Sequence, residues 1–174
     1  MSVEKYDDRH MDEDRLTIEQ FLFSKVTKGQ FGWLAGIIDG DGNFYIMIIR
    51  KSDDTIAGFL PTIRITNTNP LIFRKVRSMG ILAKPFAIKR RMKKDGSGLH
   101  KQAYDVRFCP RDLRFVLPKI IEELMAKKAQ GRLMLEALDL LKTPKSEGRD
   151  KRLVEIHEEI KALNQKNWPL ENWT

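Results

Sequence analysis

The chain predicts an α+β fold in one domain, with its elements in the order αββαββα. Apolar residues recur at helical spacing, most sharply where Leu34, Ile38 and Asp41 fall at i, i+4 and i+7. Four further stretches are rich in strand formers and alternate in polarity, with Gly and Pro punctuating the boundaries. At 174 residues the chain is long enough to bury one sizeable core, so one domain is the default.

Taken in order, residues 1–15 are polar and read as a mobile leader, and residues 17–26 suit a short helix. Lys28-Gly29-Gln30 breaks the chain before the helix that carries residues 33–41. Residues 43–50 form a first strand, 51–55 a loop, and 59–68 a second strand. Pro70 suits the first turn of a helix ending near Gly80. A third strand is expected at 84–92, a hairpin loop at 94–98 and a fourth strand at 100–109. Helices follow at 111–117, 118–141 and 150–164, and the tail holds Trp168 and Trp173. No internal repeat or low-complexity segment is present.

Residues 34–42 (Leu-Ala-Gly-Ile-Ile-Asp-Gly-Asp-Gly) are the most informative stretch. Gly36 and Gly40, four apart, make a helix face without side chains, across which another backbone can approach. Each Gly costs about 1 kcal/mol against Ala inside a helix, so the pair asks for a packing reason. Gly42 is expected to end the helix in the left-handed conformation. That leaves Asp41 in the last turn, where the helix dipole disfavours a carboxylate. A bound cation would remove the conflict.

The net charge is +8, with 32% of residues charged, which points to an anionic partner. The excess is uneven. Residues 84–101 hold Lys84, Lys89, Arg90, Arg91, Lys93, Lys94 and Lys101 against Asp95 alone. A single cysteine, Cys109, excludes an internal disulfide framework and fits an intracellular, reducing compartment: a prokaryotic cytoplasm or an organelle. No run has the character of a signal peptide or membrane span. His10, His100 and His157 lack the spacing of a zinc site. Glu159-Ile160-Lys161 mimics a nuclease motif but lies in the apolar stripe of Leu153, Ile156, Ile160 and Leu163, which marks a solvated helix face.

The string from Trp33 to Phe44, Trp-Leu-Ala-Gly-Ile-Ile-Asp-Gly-Asp-Gly-Asn-Phe, resembles the signature of the LAGLIDADG homing endonucleases. It departs from the name-giving string only by Ile37 for Leu and Gly40 for Ala. The resemblance covers residues 30–165, with 1–29 as leader and 166–174 as tail, and implies the single-motif type encoded within introns. It implies the LAGLIDADG fold, whose antiparallel saddle-shaped sheet binds double-stranded DNA. It further implies a homodimer in contact through Leu34, Gly36, Ile37 and Gly40. The implied reaction is magnesium-dependent hydrolysis of both strands at a long pseudo-palindromic site, leaving short 3′ overhangs. Manganese would substitute, and calcium would support binding without efficient cutting.

By position relative to the motif, Asp41 corresponds to the metal-binding acid, with the Gly40 carbonyl as a further ligand. Asn67 and Lys127 match the polar pair that orders active-site water, although Lys128 would serve if the register slipped by one. Arg74 and Lys75 are alternative bases, and Asp39 takes a structural role. Strand alternation puts Phe44, Ile46, Ile48, Ile63, Ile65, Phe86, Ile88, Tyr104, Val106 and Phe108 inward. Asn43, Tyr45, Met47, Ile49, Thr62, Arg64, Thr66, Lys89, Arg91, Ala103, Asp105 and Arg107 then face outward. Of these, Asn43, Tyr45, Met47, Thr62, Arg64, Thr66, Lys89, Arg91, Asp105 and Arg107 are the expected DNA contacts, a set able to read base edges and attract phosphates. The alternative is a catalytically silent LAGLIDADG protein, either an RNA maturase or a DNA-binding regulator.

Overall fold

The computed structural model describes residues 25–81, 83–93 and 96–165. The leader up to residue 24, with most of the expected helix 17–26, lies outside the described residues, as do the tail from 166 and its two tryptophans. Helix α1 spans Lys28–Asp41 and begins in a capping box. The Thr27 hydroxyl accepts the Gln30 N–H at 3.3 Å, and the Gln30 side chain accepts the Thr27 N–H at 2.8 Å. The expected break at Lys28-Gly29-Gln30 is therefore the first turn of the motif helix.

Four strands follow in one antiparallel sheet of order β1-β2-β4-β3: β1 Gly42–Arg50, β2 Ile56–Asn67, β3 Phe86–Ala87 and β4 Tyr104–Phe108. Helix α2 (Pro70–Ser78) joins the two hairpins, capped by the Asn69 side chain, which accepts the Leu71 N–H at 3.0 Å. Pro61 interrupts β2 where β4 no longer flanks it, so its missing N–H costs no ladder bond there. Helices α3 (Pro110–Ile120), α4 (Lys128–Leu140) and α5 (Glu147–Gln165) complete the described chain. The helix expected at 118–141 is two elements. Pro118 sits exposed inside α3, and a turn over 121–127 separates α3 from α4.

One face of the sheet carries the core. Phe44, Ile46, Ile63, Ile65, Val106 and Phe108 meet Phe31, Leu34 and Ile38 of α1, Leu113, Val116 and Leu117 of α3, and Leu153, Ile156 and Ile160 of α5. Each such side chain contributes about 1.5–3 kcal/mol by leaving water. Leu34 is wholly buried here, so it belongs to the core and not to the expected dimer contact.

The expected strand at 84–92 shrinks to Phe86–Ala87, and its phase is opposite to the expected one. Phe86 pairs with Asp105 and Ala87 with Tyr104, which turns Phe86 onto the outer face, 43% exposed. A one-residue slip in register moves a whole strand to the other face, and nothing else in this short strand fixed the phase. The outer edge of β1 is covered by α5. His157 Nδ1 lies 2.7 Å from the Ile46 carbonyl, and the Asn164 amide donates to the Phe44 carbonyl at 2.7 Å. An edge strand left bare would invite pairing with another chain.

Gly42 ends α1 with an ordinary extended backbone, φ −77° and ψ 143°, which corrects the expected left-handed cap. Its requirement for glycine is steric. A Cβ there would stand 2.5 Å from the Ile38 carbonyl oxygen and 2.9 Å from the Ile38 Cα, both backbone atoms that cannot swing aside. Gly42→Ala should therefore lower stability by about 1–3 kcal/mol or more, as overpacking does. Chemical denaturation checks this, and an unchanged midpoint would refute it.

Candidate active site and nucleic-acid interface

The site grows from the end of α1, where the chain turns into the sheet. Asp41 is exposed in the last helical turn, and the Asn67 amide at the end of β2 donates to its Oδ2 at 2.5 Å. The amide is oriented because its own oxygen accepts the Asn69 N–H at 2.7 Å. Among the described residues, Asp41 Oδ1 has no hydrogen-bond partner and faces solvent. The structure thus brings together Asp41 and Asn67, 26 residues apart in the chain.

Lys127 reaches the same helix end, which decides its register. Its ammonium donates to the carbonyls of Ile38 at 3.0 Å, Asp39 at 2.7 Å and Gly42 at 2.6 Å. Lys128 instead pairs with Glu122 at 2.7 Å. A cation at a helix C-terminus offsets the negative dipole end, so the conflict posed by Asp41 is relieved in part by the protein itself. Burial pulls the Lys127 ammonium below the ordinary lysine pKa, while the nearby Asp39 and Asp41 pull it up. An ammonium has three hydrogens and all three are engaged, which corrects the expectation that Lys127 orders water directly.

Asp39 answers from the other side. Its carboxylate accepts the N–H of Met125 at 2.7 Å and of Lys127 at 2.9 Å, at the start of α4. A carboxylate is favoured at a helix N-terminus, where α4 has no cap from its own chain neighbour. The two clamps are reciprocal: Asp39 of α1 holds the turn before α4, and Lys127 of that turn holds the end of α1. Of the alternative bases, Lys75 stands over the Trp33 ring at 4.2 Å, and Arg74 lines a cavity of about 610 Å³ with Phe73, Arg77 and Tyr104.

The donor set can be judged against a metal. Among the described residues no three His, Cys, Asp or Glu side chains cluster to hold an ion by themselves. Asp41, with one free oxygen, fits a hard cation such as magnesium that keeps several waters and takes its remaining ligands from phosphates. The Gly40 carbonyl is not among those taken by Lys127.

On the outer face, Asn43, Met47, Ile49, Thr66 and Arg107 are exposed, and Tyr45 and Arg64 half-buried. Lys89 and Arg91 are exposed but lie beyond the end of β3, so the alternation that put them on this face does not apply. Two expected contacts are not available. Thr62 is buried, and its hydroxyl donates to the Leu60 carbonyl at 3.2 Å. Asp105 has no exposed surface at all. Its Oδ1 accepts from Arg64 Nε at 2.7 Å and from the Thr66 hydroxyl at 3.1 Å, and its Oδ2 lies 3.4 Å from Arg107 Nε. Alternation correctly put Asp105 on this face but carried no sign that its neighbours close over it. Likewise, nothing in the sequence pointed to His157 and Asn164 as the cover of the β1 edge.

On α1, Gly36 and Gly40 are exposed and Ile37 is half-buried. Gly29 and Gly32 extend the bare stripe, and a Cβ at any of the four would meet nothing within 4 Å.

No family model matches the chain, and no curated protein matches it. Solved structures do. The homing endonuclease I-CvuI, in complex with its target and calcium, aligns with a TM-score of 0.63 at 18% identity, over 81% of this chain and 85% of that one. The archaeal intron-encoded homing endonuclease I-Vdi141I, complexed with DNA, aligns with a TM-score of 0.63 at 16% identity, over 81% and 87%. The LAGLIDADG meganuclease I-CpaMI, bound to uncleaved DNA, aligns with a TM-score of 0.57 at 20% identity. That match covers 80% of this chain but 51% of I-CpaMI, about half of the larger protein.

Proposed function

We infer that the chain, which has the LAGLIDADG homing endonuclease fold, α+β with a four-stranded antiparallel sheet, acts on DNA. We propose that it is a site-specific double-strand DNA endonuclease, metal-dependent and homodimeric, acting at a long pseudo-palindromic site and leaving short 3′ overhangs. The observation that carries the reading is Asp41, exposed at the end of a motif helix and steadied by Asn67 beside a sheet face of Arg, Thr and Asn. No described helix is long and apolar enough to cross a membrane.

Asp41 would hold a magnesium ion, which when bound supplies charge stabilisation to the transition state and activates water. Asn67 fixes the direction of the carboxylate. Lys127 fixes the helix end that carries it and is best described as a positioning residue. Exposed Lys89, Arg91 and Arg107 supply salt-sensitive attraction to phosphates. Asn43 and Arg64 supply donors for base edges. Two such sheets, one from each protomer, would cover roughly 20 base pairs, in half-sites about a helical turn apart.

The test is cleavage of a pooled DNA library with magnesium, and with a chelator as control. Recurrent double-strand ends at one long site, absent with chelator, are the expected result. Site-specific retention without cutting under any divalent ion would overturn the nuclease assignment and leave a binding protein. Retention of RNA alone would point to a maturase.

A further inference from the structure

Asp105 is the one fully buried acid on the open face of the sheet, and its surroundings are unusual. Arg64 of β2 and Arg107 of β4 are direct cross-strand partners, so two like charges stand opposite each other. Such a pair repels unless something neutralises it. Asp105 lies between them and takes the Nε of each, at 2.7 Å from Arg64 and 3.4 Å from Arg107. Thr66 steadies the carboxylate, and Phe86 lies under Arg107 with the guanidinium carbon 5.1 Å from its ring centre. Burying an ion is costly, and a buried pair is weak evidence for stability. Here the second oxygen, Asp105 Oδ2, makes no hydrogen bond despite its burial. The arrangement therefore secures geometry more than it secures stability.

What it secures is the direction of two forks. Arg64 donates its Nε–H to Asp105, and Arg107 is held beside the same carboxylate as an ion pair. The terminal nitrogens of both remain, and among the described residues they have no hydrogen-bond partner. Their spacing is set by the sheet. Directly opposed residues in an antiparallel pair are about 4.5–5.5 Å apart at Cα, against about 3.4 Å of rise per base pair. Two forks at that separation address neighbouring base pairs. A guanidinium fork matches O6 and N7 of guanine, and no other base presents two acceptors there.

Resting on the DNA-binding reading above, we propose that Asp105 is a specificity-determining positioning residue, and that Arg64 and Arg107 read guanines of two adjacent G·C pairs in each half-site. Asp105 itself touches no DNA. It trades non-specific attraction for discrimination, because its charge weakens the pull of both arginines on phosphate while fixing where their forks point.

The experiment is binding-site selection from randomised DNA with calcium in place of magnesium, comparing wild type with Asp105→Asn. Wild type should enrich guanines at two adjacent positions in each half-site. Asp105→Asn keeps the shape and loses the charge, so preference at those two positions should fall about tenfold or more. Affinity for unrelated DNA should rise and its salt dependence steepen. A merely structural role would lower both kinds of binding together. Unchanged preference in Asp105→Asn, or a wild-type site without adjacent G·C pairs, overturns the proposal while leaving the DNA-binding reading intact. Failure of wild type to retain any DNA overturns both. Arg64→Lys and Arg107→Lys keep the charge without the fork, and serve if Asp105→Asn does not fold. Each should erase one of the two preferences and weaken binding to the selected site more than to unrelated DNA, and a full profile in both variants overturns the assignment.

Discussion

Asp41→Asn should abolish cleavage while leaving DNA binding intact and the protein no less stable. The side chain keeps its size, and its amide oxygen can still accept the Asn67 N–H that now reaches Asp41 at 2.5 Å. What is lost is the charge that would hold the metal. Among the described residues no group of three acidic, histidine or cysteine side chains could hold the ion in its place. Loss of several kcal/mol of charge stabilisation corresponds to a fall in rate of about a thousandfold or more. Stability should move the other way, because a carboxylate in the last turn of α1 opposes the helix dipole by about 0.3–1 kcal/mol. Affinity should hold or improve, since Arg64 and Arg107 lie on the strands and one repulsive charge near phosphate is gone. Opposite signs in cleavage and melting temperature, measured on one preparation, separate a catalytic acid from a structural one. A variant that still cuts removes Asp41 from the mechanism. A variant that loses both binding and stability returns Asp41 to a structural role.

The motif helix and the two hairpins were legible because each rests on local rules. Helical spacing set Leu34 and Ile38 on one face of the motif helix, and both are fully buried, although Leu34 was expected in the dimer contact. Motif-relative position singled out Asn67, but not the hydrogen bond it makes to Asp41. The failures share another cause. Phe86 faces outward because its phase is set by pairing with Asp105, a partner 19 residues further along the chain. Asp105 is buried because Arg64, 41 residues away, closes over it. The turn at 121–127 interrupts an otherwise helical pattern because Asp39 accepts N–H groups that would enter an unbroken helix. In each case the deciding partner is remote in sequence, and alternation reports only which face a residue takes, not what covers it. The Lys127 clamp shows the same limit. Its position was legible, but its three carbonyl partners were not, and they changed its role from ordering water to holding the helix end.

Gly36→Leu and Gly40→Leu, made together, should abolish association and double-strand cutting while leaving the single chain as stable as before or more so. In the single chain a Cβ at either position meets nothing within 4 Å, so no contact is lost. Replacing Gly inside a helix recovers up to about 1 kcal/mol in propensity, more for Gly36 than for Gly40 near the helix end. Among the described residues nothing packs on this face, and bare backbone there suits close approach by another helix. One protomer carries one Asp41, whereas a double-strand break requires attack on two strands, so a second copy of α1 is the occupant that the proposed function requires. A two-fold contact presents each residue twice. Overpacking of about 1–3 kcal/mol at each site then accumulates over two positions on two chains. Sedimentation should show the variant as a monomer at concentrations where wild type is a dimer. Binding to a full site should weaken toward that of a half-site, because the two sheets no longer act as one ligand. Cleavage should fall with it. A variant that remains dimeric and cuts both strands would show that α1 meets its partner elsewhere. A wild type that sediments as a monomer both free and on its target would overturn the dimer.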